Sequence, residues 1–346
     1  MPRADVDLIT RRPEGLYCAA GDFFIDPWRP VARAVVTHAH ADHCRAGHGS
    51  YLAHRDAEGL MRARIGPELR LQGLAYGEVV HLNGVALSLH PAGHVLGSAQ
   101  VRVAHGGQVW VVSGDYFVSG AGDVNDTCAP FEPVRCDVFI TESTFGLPIY
   151  RWAPQREVLA GMRAWWADCA AQGRHALLMG YSLGKAQRLL AGLATADAPG
   201  PVFVHPAVAR INDAYRAAGV ALPEVPAVTA DASLKRQRGA LVIAPPAVHG
   251  SRWAQALGPH SDAFASGWMR LRGARRRRGV DRGFVFSDHA DWPGLLSAIR
   301  ATGASRVIVT HGDEGALVRY LTELGLQAEA FATEYGDEAH GVEAAE

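Results

Sequence analysis

The sequence predicts an α/β protein, and three observations lead to that expectation. Apolar strands repeatedly end in residues that ligate metals. Strands and helices alternate through the middle of the chain. A histidine-rich turn, Thr37-His38-Ala39-His40-Ala41-Asp42-His43, directly follows the apolar run Ala34-Val35-Val36. Imidazole nitrogen and carboxylate oxygen are the ligands that Zn²⁺ prefers, and Mn²⁺ or Fe accepts the same set. In a turn leaving a strand, alternate residues diverge. His38 and His40 can therefore point to one metal while Asp42 and His43 point to a neighbour.

Length and composition set the frame. A chain of 346 residues, 48% hydrophobic and 20% charged, can bury a sizeable core as one large or two modest domains. The formal net charge of −1 excludes a global basic field, so an anionic partner must be held by local patches or by metal ions. The five cysteines, Cys18, Cys44, Cys128, Cys136 and Cys169, are odd in number and form no Cys-x-x-Cys pair, which predicts reduced thiols and a cytoplasmic protein. Cys44 follows the cluster and is a further candidate ligand, although Asp42 and His43 already fill that role. The stretch Met1 to Pro13 has no apolar segment of signal-peptide type. No apolar run reaches the roughly 18 residues of a membrane span.

Taken in order, Gly15 to Pro30 reads as two short strands and a turn. Phe23-Phe24-Ile25-Asp26 ends in a carboxylate that either caps the turn or orients a ligand histidine from behind. Ala53 to Ile65 is expected to be helical. Val79 to His90 reads as a hairpin around Asn83-Gly84. An isolated histidine, His94, follows in the loop Pro91 to Ser98. Strands Gln100–Val103 and Val109–Val112 are hinged at Gly106-Gly107, and the second runs into Ser113-Gly114-Asp115. Val138–Thr141 runs into Glu142-Ser143-Thr144, and Arg306–Thr310 into His311-Gly312-Asp313. This repetition is what an α/β sandwich shows when strand-end loops converge on one metal site.

Between these halves the texture changes. Val158–Ala171 reads as a helix, Ala176–Met179 as a strand, and Ser182 as the N-cap of a helix running to about Ala196. Val202–His205 and Leu241–Ala244 read as strands and Val208–Ala218 as a helix. This alternation predicts a parallel sheet, in a second α/β domain over Tyr150–Gly283. Near its end, Arg275-Arg276-Arg277-Arg278 is either a solvated basic loop or a phosphate contact. The acidic, Ala/Gly-containing end, Gly336 to Glu346, is expected to fray. His48, His54, His175, His205 and His249 are expected to be structural or on the surface.

Seven residues thus make a plausible ligand set: His38, His40, Asp42, His43, His94, Asp115 and His311. At His38-x-His40-x-Asp42-His43, at His94 and at Asp115 the chain resembles the metallo-β-lactamase fold. Glu142, Ser287-x-His289 and His311 match, in order, three further motifs of its β-CASP nuclease branch. Gly15-Leu16-Tyr17-Cys18, Ile25-Asp26-Pro27-Trp28-Arg29-Pro30 and Thr141-Glu142-Ser143-Thr144-Phe145-Gly146 are similar to the bacterial DNA-ligase-associated exonuclease family. The resemblance spans about Gly15 to Thr333. It implies a metallo-β-lactamase αββα sandwich over 1–149 and 284–336, an inserted β-CASP-like domain over 150–283, and a tail over 337–346.

The same resemblance implies the roles. His38, His40 and His94 hold one divalent metal, Asp42, His43 and His311 hold a second, and Asp115 bridges them; zinc is favoured and manganese possible. Asp42 accepts the attacking water's proton, and His289, paired with Glu142, protonates the leaving oxygen. The substrate is nucleic acid, DNA favoured over RNA, with functional association with a ligase and a helicase and no membrane. His311 points the other way, because eukaryotic DNA-repair members of the superfamily lack that histidine and RNA-cleaving members have it. A small-molecule metallo-hydrolase needs neither Glu142, His289 nor an inserted domain, and a silent binding protein has no need of seven ligands.

Overall fold

The computed structural model describes residues 7–120, 126–228, 234 and 237–334, so the tail expected over 337–346 lies outside the described residues. The described residues fall into two compact units. The first draws on residues 7–118, 129–149 and 290–334, and the second on residues 119–120, 126–128, 150–228, 234 and 237–289.

The first unit begins with a six-stranded sheet built in chain order from β1 (Thr10–Arg12), β2 (Gly15–Cys18), β3 (Phe23–Ile25), β4 (Ala34–Val35), β5 (Tyr51–His54) and β6 (Leu71–Leu74). Between β5 and β6 runs α1 (Glu58–Ile65). The helix expected over Ala53 to Ile65 is therefore shorter than its sequence signal: Tyr51–His54 pairs with β4 and β6, and the chain turns helical only after the His54 ring caps Asp56 N–H.

A second sheet starts with β7 (Val79–Leu82) and β8 (Val85–Pro91). Asn83 and Gly84, at φ 49° and 82°, join them with the left-handed backbone that a tight hairpin demands. It continues through β9 (Ala99–His105), β10 (Gln108–Val112) and β11 (Val138–Ser143).

The chain then builds the second unit from α2 (Gln155–Ala171), β12 (His175–Met179), α3 (Lys185–Leu193), β13 (Val202–Val204), α4 (Pro206–Ala217), β14 (Leu241–Ala244), α5 (Arg252–Ala256), β15 (His260–Ala265), α6 (Arg272–Arg278) and β16 (Arg282–Phe284). Its strands form one parallel sheet in the order β13-β14-β12-β15-β16. Both faces of the central strand are covered. Ala176 and Leu178 pack with Trp166, Leu189 and Leu190, while Leu177 and Met179 pack with Val242, Leu257 and Met269. That is why β12 reads as a continuous apolar run instead of an alternating one.

Two expectations are corrected here. Gly184, at φ 91°, caps α3 in place of Ser182, because the Gln187 side chain folds back to accept from Gly184 N–H, and the helix ends at Leu193. The basic run is helical, with Arg276 and Arg277 exposed on α6.

The chain returns to the first unit with α7 (Trp292–Thr302), β17 (Arg306–Gly312), α8 (Glu314–Glu323) and β18 (Gln327–Ala330), completing a seven-stranded sheet β18-β17-β11-β10-β9-β8-β7. Strand periodicity sorts its side chains. Trp110, Val112, Ile140 and Ile308 face the first sheet with Leu16, Phe23, Ile25, Val35 and Leu52. Val111, Phe139, Val307 and Val309 face Leu295, Ile299, Leu317 and Leu321 of α7 and α8. Each fully buried aliphatic side chain contributes roughly 1.5–3 kcal/mol. This burial fixes the register that matters for the site, aligning Val112 with Ile140 and Ile140 with Ile308 in parallel strands. Asp115, Glu142 and His311 consequently emerge at one edge.

Candidate metal centre

Two sheets deliver the site residues to this edge. Ala99 N–H at the start of β9 donates to Thr37 O, 2.8 Å away, bringing the loop that holds His94 beside the histidine turn after β4. Gly114, at φ 56°, lets the turn after β10 approach so closely that a Cβ there would lie 2.6 Å from Thr37. The histidine turn is closed by Cys44 N–H donating to His40 O at 2.8 Å. Arg64 on α1 donates to Ala39 O at 2.6 Å and Cys44 O at 3.4 Å.

His38 Nε2 lies 3.2 Å from His40 Nδ1, and His94 Nε2 lies 3.1 Å from that same atom. The three rings stand nearly perpendicular, with centroids 4.8 Å apart. Tetrahedral nitrogen ligands at about 2.0–2.1 Å from zinc stand about 3.3 Å from one another, so this convergence matches a shared cation. Asp115 Oδ2 is 3.4 Å from His38 Nε2, 3.8 Å from His94 Nε2 and 3.4 Å from His43 Nε2. One carboxylate therefore faces both histidine groups. Asp42, His43 and His311 form a second group whose ligand atoms lie within 4.8 Å of one another, with Asp42 Oδ2 3.7 Å from His43 Nε2. All but His40 and Asp42 are buried. The donor chemistry and spacing suit divalent cations.

Asp26 organises the site from behind. Its carboxylate accepts from Thr37 N–H at 2.7 Å, from Thr37 Oγ1 at 2.5 Å and from His43 Nδ1 at 2.8 Å. An Nδ1–H donated to Asp26 leaves His43 Nε2 as the ligating nitrogen. Burial opposes a charged His43, but Asp115, Asp42 and Asp26 outweigh it and push the imidazole up to about 10 in the metal-free protein. A cation would displace that proton, because imidazole ligates in its neutral form.

His311 sits at φ 55° and Gly312 at φ 94°. Ser143 Oγ donates to His311 O at 2.6 Å, and a Cβ on Gly312 would lie 2.2 Å from Ser143 O. The left-handed end of β17 is thus set by β11. Glu142 is buried, and its carboxylate accepts from Tyr116 N–H at 2.7 Å and from Thr144 Oγ1.

The other expected site residues belong to the second unit. His289 is buried there, with its N–H donated to Ser287 Oγ at 3.0 Å and its carbonyl accepting from Trp152 Nε1 at 2.9 Å. Arg275 to Arg278 lie on α6, with the Arg278 guanidinium 4.4 Å over the Phe264 ring. Among the described residues Cys44 joins neither ligand group; burial pushes its thiol up to about 12. His48 Nδ1 and His175 Nδ1 accept from the backbone of Val31 and Ala240. His54 and His205 cap helical turns, and His249 lies 3.3 Å from Asp262. No described helix is long and apolar enough to cross a membrane.

Sequence reasoning did not reach Thr37, Arg64 or Ser98, whose Oγ accepts from His94 N–H at 3.1 Å. Thr37 was visible beside the cluster. Nothing in the spacing marks Arg64.

No family model matches the chain. It is 33% identical to a "Probable DNA ligase" of Opitutus terrae, over 91% of this chain and 30% of that protein. It is 31% identical to the endoribonuclease YSH1 of Yarrowia lipolytica over 35% of this chain and 14% of that protein. The same identity and share of this chain hold for the Schizosaccharomyces pombe endoribonuclease ysh1, over 16% of that protein. The chain spans less than a third of the length of each. A crystal structure of a protein of unknown function from Enterococcus faecalis shares the fold, with a TM-score of 0.58 and 11% identity, covering 88% of this chain and 80% of that one.

Proposed function

We propose that this chain is a two-metal phosphodiesterase, a nuclease of the metallo-β-lactamase fold and β-CASP branch, acting on DNA as an exonuclease in repair alongside a ligase. The observation that carries the reading is Asp115 Oδ2, placed within 3.4–3.8 Å of histidine nitrogens from both ligand groups. Similarity to a probable DNA ligase along most of the chain, and to YSH1 over about a third of it, supports a polynucleotide substrate.

His38, His40 and His94 would hold one cation, Asp42, His43 and His311 the other, and Asp115 both. Two bound divalent cations supply Lewis acidity at the phosphoryl oxygens and make hydroxide available near neutral pH. Asp42, half-buried like His40, accepts the proton of the attacking water. His289 donates a proton to the leaving oxygen, and Glu142 serves as its carboxylate partner. Asp26 keeps His43 in the ligating tautomer. Arg276 to Arg278, with Ser287, contribute phosphate contacts.

A second reading, an RNA-processing nuclease, draws on the YSH1 similarity and on the presence of His311. Digestion of end-labelled single- and double-stranded DNA and RNA, with Zn²⁺ and with Mn²⁺, separates the two. Metal-dependent release of mononucleotides from DNA is expected. Cleavage of RNA alone transfers the chain to the second reading, and cleavage by metal-free protein ends both.

A further inference from the structure

We propose that Lys185, Arg188 and Asp288 form a buried brace whose task is to position His289; this rests on the reading of His289 as proton donor. Lys185 and Arg188 stand three apart on α3 and so share a face. Lys185 Nζ lies 3.3 Å from Asp288 Oδ2 and Arg188 Nη1 2.8 Å from Asp288 Oδ1, with side-chain exposures of only 2–4%. Arg188 Nη1 also donates to Ser287 O at 2.7 Å, and Nη2 to Gln155 Oε1 at the start of α2. The guanidinium lies 4.7 Å from the Phe286 ring and the Lys185 ammonium 4.5 Å from the Tyr181 ring. With Ser287 Oγ and Trp152 Nε1 fixing the His289 backbone, every residue from 286 to 289 is held by a side chain.

Stability alone is a weak reason for this arrangement. Burying charges is costly, and apolar groups of similar volume commonly match or exceed a buried ion pair in stability. The same helix already packs through Ala186, Leu189, Leu190 and Leu193. What ionic groups add is direction: a carboxylate gripped from two sides by cations on a rigid helix has one position, and the next residue is His289. Asp288, Lys185 and Arg188 are positioning residues.

The test compares Asp288→Asn and Arg188→Lys, which keep size, with His289→Ala, each checked for metal content and thermal midpoint. Asp288→Asn should slow cleavage of DNA on the order of 10²-fold with KM unchanged, the scale of a small misplacement of a reacting group. The loss should shrink for a nitrophenyl phosphodiester, whose leaving oxygen needs no proton. In a His289→Ala background the brace substitution should add less than about twofold, since coupled sites are not additive. Arg188→Lys should restore part of the rate that Arg188→Met loses. Multiplying losses, or equal losses on both substrates, would overturn the brace and leave a purely structural ion cluster. Hydrogen exchange over 286–290 keeps the outcomes apart. If His289→Ala leaves the rate unchanged, the proton-donor reading fails and with it the catalytic purpose of the brace. Faster exchange in Asp288→Asn would then show a brace without that purpose, and unchanged exchange no brace at all.

Discussion

At the residue scale, the two carboxylates Asp115 and Asp26 divide the work of the centre. Asp115 faces both ligand groups, so neither can absorb its loss. Asp115→Ala should retain at most one metal ion by elemental analysis and hydrolyse no polynucleotide. Asp26 hydrogen-bonds the ligand His43, so Asp26→Ala should weaken metal binding about 10–100-fold, measured by competition with a chelator. His289→Ala should keep both metals and lower the rate about 10²–10⁴-fold on DNA, with a smaller loss on a nitrophenyl ester. Glu142→Gln should give a weaker version of that pattern.

At the scale of elements, the pH dependence of the second unit follows from the contact between α3 and the segment ahead of α7. Burial works against an ionised Asp288, yet Lys185, Arg188 and His289 hold its carboxyl below the usual range. A carboxyl whose folded value is depressed contributes stability that is present above its unfolded value, about 3.9, and is lost as pH falls through the folded value. Wild type should therefore lose stability on acidification below about pH 4 more steeply than Asp288→Asn, read from urea midpoints across that range. The end of β17 offers a steric test. Gly312→Ala places a methyl against Ser143 O at a backbone angle unfavourable to alanine, so a loss of at least about 1–3 kcal/mol and weaker retention of metal by the His311 group are expected.

At the scale of the whole molecule, both ligand groups join segments far apart in sequence, Asp26 to His43 with His94, Asp115 and His311. Ligands that bind only the folded state stabilise it by mass action. Chelation should therefore lower the thermal midpoint of wild type, with little further change in Asp115→Ala. Buried without a cation, His43 holds its proton up to about 10. Its raised value contributes stability fully below about 6.5, lost as pH rises through 10. The metal-free protein should accordingly weaken between pH 7 and 10, where the metal-loaded protein does not.

Much of this protein was legible in one dimension. The hairpin at Asn83-Gly84, the apolar runs of β10, β11 and β17 and the residues that end them follow from local backbone preference and from periodicity, which are properties of neighbours in sequence. The histidine turn was legible because its ligands crowd into six positions. What the tertiary structure alone decided depends on pairing between distant segments. Val112, Ile140 and Ile308 come into register only when their strands associate, and that register lets Asp115 and His311 meet the histidines. Asp26 read equally well as a turn cap until the β3–β4 pairing put its carboxylate 2.8 Å from His43. Ala53 and His54 were expected to open a helix, but they end β5 instead, because β6 pairs with their backbone. Nothing near Arg64 or Asp288 in sequence names their partners, and the spacing of Lys185 and Arg188 puts them on one helix face without naming Asp288, since that partner comes from a segment about 100 residues away.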